Sequence, residues 1–207
     1  MKHYQVYLFD FDGTLFDTIQ SLYPVYEYGF GAVGMNVTHA ECDHFIHISL
    51  SQSADYKHMK PEDYPIFRKA IGVGLNLESS LKLITIFPDA ISTIKALRAR
   101  GAKIGIVSGN NEDHMKIVLK RFHVLDLFDE ITGNESFKKP KPDAEPCLAA
   151  IAKLGLSPSH DILYVGDSLQ DVESGLNAKI DGLLVDRTNA YPSYDRPKIK
   201  SLAELIK

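Results

Sequence analysis

Asp10 and Asp12 stand two positions apart directly after the apolar run Val6–Phe9, and Gly13 and Thr14 follow them. Two carboxylates at the mouth of a strand, with a turn glycine and a hydroxyl behind them, suit the holding of a hard cation and attack on a phosphoryl group. Asp and Gly are also ordinary turn residues, so the string gains weight from its company. Gly166-Asp167-Ser168-Leu169-Gln170-Asp171 supplies two further carboxylates after the apolar run Ile162–Val165. Four anions gathered in one place are costly without a cation, and magnesium takes a few carboxylates together with water and phosphate oxygens. Asp167 or Ser168 could instead cap the next helix; the Asp10/Asp12 pair tips the reading toward metal. Ser108-Gly109-Asn110-Asn111 follows Ile104–Val107, and a hydroxyl with amides just before a helix can bind phosphate oxygens or simply cap it. Lys139-Pro140-Lys141-Pro142 sets two lysines among prolines that hold the chain extended. One ammonium from this segment could neutralise a phosphoryl oxygen and the crowded carboxylates.

These residues need strands to carry them. Val6–Phe9, Ala102–Val107, Ile162–Val165 and Leu183–Val185 read as short buried strands, with Glu130–Thr132 a weaker one. Helical periodicity runs through Ala90–Arg100, Glu112–Phe122 and Pro142–Leu154, the first and last followed by Gly101 and Gly155 as stops. Strands alternating with helices predict an α/β fold, a Rossmann-like parallel sheet with helices on both faces. In such sheets ligands collect outside the carboxyl ends of the strands, where Asp10, Asp12, Ser108 and Asp167 all fall.

One stretch breaks the alternation. Between about Phe16 and Phe87 the signals are helical: a Thr38-His39-Ala40-Glu41 capping box, a helix from near Pro61 that Pro65 could delay, and Pro24 starting or kinking another. Gly29, Gly31 and Gly34 mark a loop after it. The expected division is a core of 1–16 with 85–207 and a helical insertion of 17–84, too long for an ordinary loop. Ser201-Leu202-Ala203-Glu204 caps a short last helix after a polar loop over Asp186–Lys200.

Composition bounds the rest. The 207 residues are 44% hydrophobic and 24% charged with a formal net charge of -4, that of a globular protein whose main partner is neither nucleic acid nor an anionic membrane. Cys42 and Cys147 lack metal-ligand spacing and read as reduced thiols. No signal segment or membrane-length apolar run is visible, which makes a cytoplasmic monomer or weak homodimer the default expectation.

With its motifs in order, the chain resembles the haloacid dehalogenase-like superfamily, and in particular its phosphoglycolate phosphatase and beta-phosphoglucomutase-like group, which carries a helical cap after the first motif. The carriers are Asp10-Phe11-Asp12-Gly13-Thr14-Leu15-Phe16-Asp17, Ser108, Lys139-Pro140-Lys141-Pro142-Asp143, and Gly166-Asp167-Ser168-Leu169-Gln170-Asp171. The resemblance implies Asp10 as nucleophile and Asp12 as the acid and then the base. It implies Mg2+ held by Asp10, Asp167 and the Asp12 carbonyl, with Asp171 completing the metal site as its brace. Ser108 and Lys139 would hold the phosphoryl group, with Thr14, Gly109 and Asn110 beside it. Lys139 is chosen over Lys138 and Lys141 because it opens the Lys-Pro-x-Pro-Asp pattern. The expected activity is hydrolysis of a small phosphate ester. A phosphomutase is the near alternative, and a receiver-like phosphoryl-accepting module the distant one. A dehalogenase or phosphonate hydrolase would not need Asp12. Two departures stand out: Asp89 replaces the glycine usual after Pro88, and Lys179 replaces the glycine usual after Ala178. In the insertion, Tyr23, Tyr26, Tyr28, Phe30 and Phe45 could line a pocket but fit a core better. His39, His44, His47 and His58 could contact substrate. The i, i+3 pair His44 and His47 lacks the companions of a zinc site. Lys57, Lys60, Arg68 and Lys69 read as solvated.

Overall fold

The computed structural model describes residues 2–46 and 48–207, so His47 lies outside the described residues. The chain divides into two compact units, Met1–Phe16 with Ile86–Lys207, and Asp17–Thr85. In chain order, β1 (Val6–Phe9) and the two-residue β2 (Phe16–Asp17) come first. Five helices follow: α1 (Ile19–Gly31), α2 (His39–Phe45), α3 (Leu50–Tyr56), α4 (Tyr64–Gly74) and α5 (Glu78–Leu81). The chain returns through β3 (Thr85–Ile86) to α6 (Ala90–Ala99), β4 (Lys103–Val107), α7 (Glu112–Arg121) and β5 (Glu130–Thr132). It ends with α8 (Glu145–Lys153), β6 (Ile162–Gly166), α9 (Leu169–Asn177), β7 (Asp181–Val185), β8 (Lys198–Ile199) and a short 3-10 turn, Leu202–Ile206.

The larger unit is built on one parallel sheet in the order β5-β4-β1-β6-β7-β8. The chain steps outward from β1 through β4 to β5, then returns to β6 and steps the other way. Right-handed crossovers on opposite steps put α6 and α7 on one face and α8 and α9 on the other; α8 and α9 do touch. Every residue of β1 and β6 is buried, as expected for strands covered on both faces. Leu8, Val107 and Tyr164 pack with Cys147 and Ile151 of α8 and with Ile162 and Ile180. The order reverses between β1 and β6, the switch point at which such sheets open a crevice. Phe9 pairs with both Ile106 and Val165, so β1, β4 and β6 end level. Asp10, Ser108 and Asp167 therefore leave neighbouring strands within a residue or two of one edge.

The smaller unit has its own core, formed by Val25, Tyr26, Phe30, Cys42, Phe45, Ala54, Phe67 and Ile71. The Thr38/Glu41 capping box starts α2, and α4 starts at Tyr64 with Pro65 in its first turn, where its missing N–H costs nothing. The helix α1 runs through Pro24 rather than starting there, and Gly29 and Gly31 lie inside it rather than in a loop, which Gly34 enters at φ +72°. At Gly29 the α4 side chain of Ile71 takes the space a methyl group would need, 2.5 Å from it, so the glycine lets the helices meet. Tyr26, Phe30 and Phe45 are core residues, and the Tyr26 hydroxyl donates to the Phe45 carbonyl at 3.0 Å. Tyr28 is exposed, while Tyr23 bonds Asp43 and stands against His39. His44 stands against Tyr56. Lys57 is half-buried and paired with Glu41 at 2.6 Å, unlike the solvated reading, whereas Lys60, Arg68 and Lys69 are exposed. No described helix is long and apolar enough to cross a membrane.

Candidate active site

The first motif is a closed turn. Leu15 and Phe16 both donate backbone N–H bonds to the Phe11 carbonyl, at 3.1 and 3.0 Å, and Gly13 donates to the Phe16 carbonyl at 2.8 Å. The rings of Phe11 and Phe16 stack beneath it, 4.5 Å apart. Gly13 takes φ +76°, and a Cβ there would lie 2.2 Å from Asp167 Oδ2. Only glycine allows both the left-handed backbone and the carboxylate beside it. Asp10 is fixed from behind by its own N–H, which donates to the Val165 carbonyl at 2.9 Å. Asp12 Oδ2 accepts from Asn110 Nδ2 at 3.3 Å.

The lysine at this centre is Lys141, not the expected Lys139. Lys141 Nζ donates to Asp10 Oδ1 at 2.7 Å and Asp171 Oδ1 at 2.5 Å, and lies 3.3 Å from the Tyr164 hydroxyl. Its side chain is 15% exposed, whereas that of Lys139 is 69% exposed and its ammonium lies 3.8 Å from Asp143. The cause is local. Glu145 Oε2 accepts the backbone N–H bonds of Lys138 and Lys139, at 2.9 and 3.0 Å, tying that turn to the start of α8 and leaving the next lysine to reach inward.

Asp171 differs from its neighbours. Its Oδ2 accepts from Ser168 N at 3.0 Å and Ser168 Oγ at 2.6 Å, while Oδ1 faces Lys141 and, at 3.1 Å, the Tyr164 hydroxyl. Asp10, Asp167 and Asp171 could each bring an oxygen within 4.8 Å of the others. Both Asp171 oxygens already accept hydrogen bonds from Lys141, Tyr164 and Ser168, which fix the carboxylate in the group. Its acidity is strengthened accordingly: burial alone would raise its pKa, but Lys141 and Ser168 more than offset that. Asp10 goes the other way, raised well above the carboxylate range by burial, with Lys141 opposing and Asp171, Asp12 and Asp167 adding repulsion. Asp167 is pushed up to about 6 by burial and by Asp171. For Lys141, burial would lower the pKa, yet Asp10 and Asp171 hold it above the usual lysine range.

One ammonium thus stands among four carboxylates, and two of those carboxylates resist ionising. The carboxylates gathered here are hard oxygen donors of the type that suits magnesium. A divalent cation would supply charge that Lys141 alone does not. The donor set fits the ion on that ground.

The remaining expected contacts separate. Ser108 is buried at the end of β4, and its Oγ accepts from Asn110 N at 3.1 Å. Gly109 is exposed at the turn, its carbonyl accepting from Asn134 Nδ2 at 3.0 Å. Asn110, expected at the phosphate, turns its amide to Asp12. Thr14, also expected there, is fully enclosed with Oγ1 unbonded, and contributes its carbonyl instead. Asn111 caps α7 through Asp113 N and His114 N. Sequence reasoning missed Tyr164, whose hydroxyl sits 2.9 Å from the Val107 carbonyl as well as beside Lys141 and Asp171. The signal was a phenol inside the otherwise apolar run Ile162–Val165.

The sequence matches the family model of haloacid dehalogenase-like hydrolases over residues 7–185. It is 27% identical over 190 residues to pyrophosphatase PpaX of Bacillus velezensis, covering 86% of this chain and 81% of that one. It is 29% identical over 180 residues to the phosphoglycolate phosphatase of Aquifex aeolicus, covering 84% and 81%. Against PpaX of Bacillus pumilus the identity is 30% over 171 residues, covering 81% and 76%. A solved structure from Bacteroides fragilis, described as a haloacid dehalogenase-like hydrolase, superposes with a TM-score of 0.82 at 27% identity, over 98% of this chain and all of that one.

Proposed function

The chain belongs to the haloacid dehalogenase-like hydrolases, and from that premise we propose that it is a magnesium-dependent phosphatase acting through an aspartyl phosphate on Asp10. What carries the proposal is the arrangement at the switch point: Asp10 bonded by Lys141, with Asp12 two residues on and held by Asn110. Asp10 attacks phosphorus, the bond from phosphorus to the leaving oxygen breaks, and that oxygen takes the proton of Asp12. Asp12, now ionised, takes a proton from water as the water attacks phosphorus, and the bond to Asp10 breaks to release phosphate. Splitting one displacement into two in this way is covalent catalysis with a shuttling acid. Bound magnesium would offset the repulsion between the anionic ester and Asp10, held by Asp10, Asp167 and the Asp12 carbonyl. Lys141 neutralises phosphoryl charge by trading its bond to Asp10, while Asp171 and Tyr164 keep it in place. Ser108 holds a phosphoryl oxygen at the end of β4.

The named relatives act on pyrophosphate or phosphoglycolate, which supports a small phosphorylated substrate. We assign the inserted unit, Asp17–Thr85, the role of a cap that selects among such substrates. Phosphate release from p-nitrophenyl phosphate with magnesium, followed by a panel including phosphoglycolate and pyrophosphate, tests the reading. Asp10→Asn should abolish release and chelator should suppress it. Equal rates for wild type and Asp10→Asn would overturn the mechanism.

A further inference from the structure

Asp89 is the departure the site has not absorbed. It precedes α6, where an aspartate ordinarily caps the helix, yet its side chain makes no cap bond. Its carboxylate is committed elsewhere. Arg187 Nη1 donates to Oδ2 and Nη2 to Oδ1, both at 3.0 Å, a two-pronged pair. Ser201 Oγ at 2.6 Å and Leu202 N at 2.7 Å donate to the same Oδ2. The pair is largely buried, with side chains 17% and 15% exposed. Burial would raise the Asp89 pKa, but Arg187 and Ser201 bring it below the usual value.

The guanidinium has two further contacts. Its Nη2 donates to the Thr14 carbonyl at 3.0 Å, and its Cζ lies over the Phe87 ring, 4.0 Å from the ring centre. Phe87 N in turn donates to the Leu15 carbonyl at 3.0 Å. Thr14 lies two residues from Asp12, in the turn closed by Gly13, Leu15 and Phe16. One arginine at the end of β7 therefore grips the core where the chain leaves it and where the chain returns.

We propose that Arg187, oriented by Asp89, is a positioning residue for the Asp12–Thr14 turn. It holds the Thr14 carbonyl, and through that backbone it sets the Asp12 carbonyl and carboxyl against Asp10. The effect on catalysis rests on the phosphatase reading above; the effect on the turn does not. A fork is required, because a lysine cannot serve two Asp89 oxygens and the Thr14 carbonyl in one plane.

The test uses the full chain with Arg187→Met, Arg187→Lys, Asp89→Asn and the Arg187→Met/Asp89→Asn double variant. The first readout is kcat and KM for p-nitrophenyl phosphate with magnesium, normalised to folded protein. Arg187→Met should lower kcat by about 10- to 100-fold, as a small misplacement of reacting groups does, with KM within about twofold. Arg187→Lys should not restore it. The double variant should be no worse than Arg187→Met, since the two act as one unit. The second readout is amide hydrogen exchange. Gly13, Leu15 and Phe16 should exchange faster in Arg187→Met while β1 stays protected. Unchanged kcat with only a lower melting temperature would overturn the proposal, leaving a strut. Unchanged exchange at the turn would overturn it even if kcat fell. A wild-type protein that releases no phosphate from any ester defeats the phosphatase reading, and the exchange result then decides the clamp by itself. Should Arg187→Met fail to fold, Arg187→Lys and Asp89→Asn carry the same two readouts.

Discussion

Two buried carboxylate centres lie within the same unit and are built in opposite ways. Around Asp89, one acid meets one guanidinium and two further donors, and its pKa falls. Around Asp10, one ammonium serves several acids, and Asp10 and Asp167 are raised. The first centre is electrically closed and serves to hold. The second is left short of positive charge, and that shortfall is what makes it a place for a cation and a phosphoryl group. Buried acids alone do not mark a site; the imbalance does.

After loss of Asp10 itself, the largest effect should come from removing the Lys141 ammonium of the open centre. Lys141→Met should reduce kcat by about 100-fold or more, the usual loss when a charged partner of the transition state is deleted. Lys139→Met should stay within about twofold, because a solvated side chain contributes little. Steady-state rates on one phosphate ester check both, and a larger loss at 139 would reverse the assignment of the lysine.

Neutralising one acid in each centre should move stability in opposite directions. Without metal, Asp167→Asn should raise the unfolding free energy by about 1–2 kcal/mol by relieving a desolvated charge. Asp89→Asn should lower it by about 2 kcal/mol by weakening charge-assisted hydrogen bonds. Denaturant melts in chelator measure both signs, and equal signs would erase the contrast.

The pH dependence follows from the same pKa directions. Asp167 is raised to about 6, so its cost to the folded state is fully present above that pH. The cost fades as pH falls through 6 toward the unfolded value near about 4. Asp89 is lowered, so its contribution persists across this window and is lost only as pH falls below it through the folded value. Metal-free protein should therefore gain roughly 5 °C in melting temperature between pH 7 and pH 4.5 from Asp167. Asp167→Asn should remove that gain, which calorimetry in chelator would show.

The smallest effect lies away from both centres. Lys179 takes φ +62° just after α9, where glycine carries no penalty. Lys179→Gly should stabilise by about 1 kcal/mol and leave kcat unchanged, read from a urea midpoint.

Much of this was legible along the chain, and the reasons differ by element. The buried strands announced themselves as apolar runs ending in small or acidic residues, so the parallel α/β fold followed. Asp10 and Asp167 come together because strand ends at a switch point must converge, a rule that needs no side-chain detail, and Asp171 follows in the first turn of α9. The choice of lysine was not legible. Lys139 and Lys141 share their setting among prolines, and the arbiter is Glu145, which takes the amides of Lys138 and Lys139. At Asn110 and Thr14 the residue type indicated a polar contact but not its partner: the Asn110 amide meets Asp12, and the Thr14 carbonyl meets Arg187. Gly29 read as loop because its value lies in contact with another helix, which no local pattern records.

Gly13 and Gly166 carry no side chain, yet each is molded to a carboxylate. A Cβ at Gly13 would strike Asp167, and one at Gly166 would lie 2.3 Å from the Asp171 Cβ and Cγ. In a saturation library scored for growth or turnover, both columns would read as invariant, indistinguishable from Asp10 itself. A search for function by mutational intolerance would then assign chemistry to two positions that do none. Their contribution is vacancy, the room in which the acids stand.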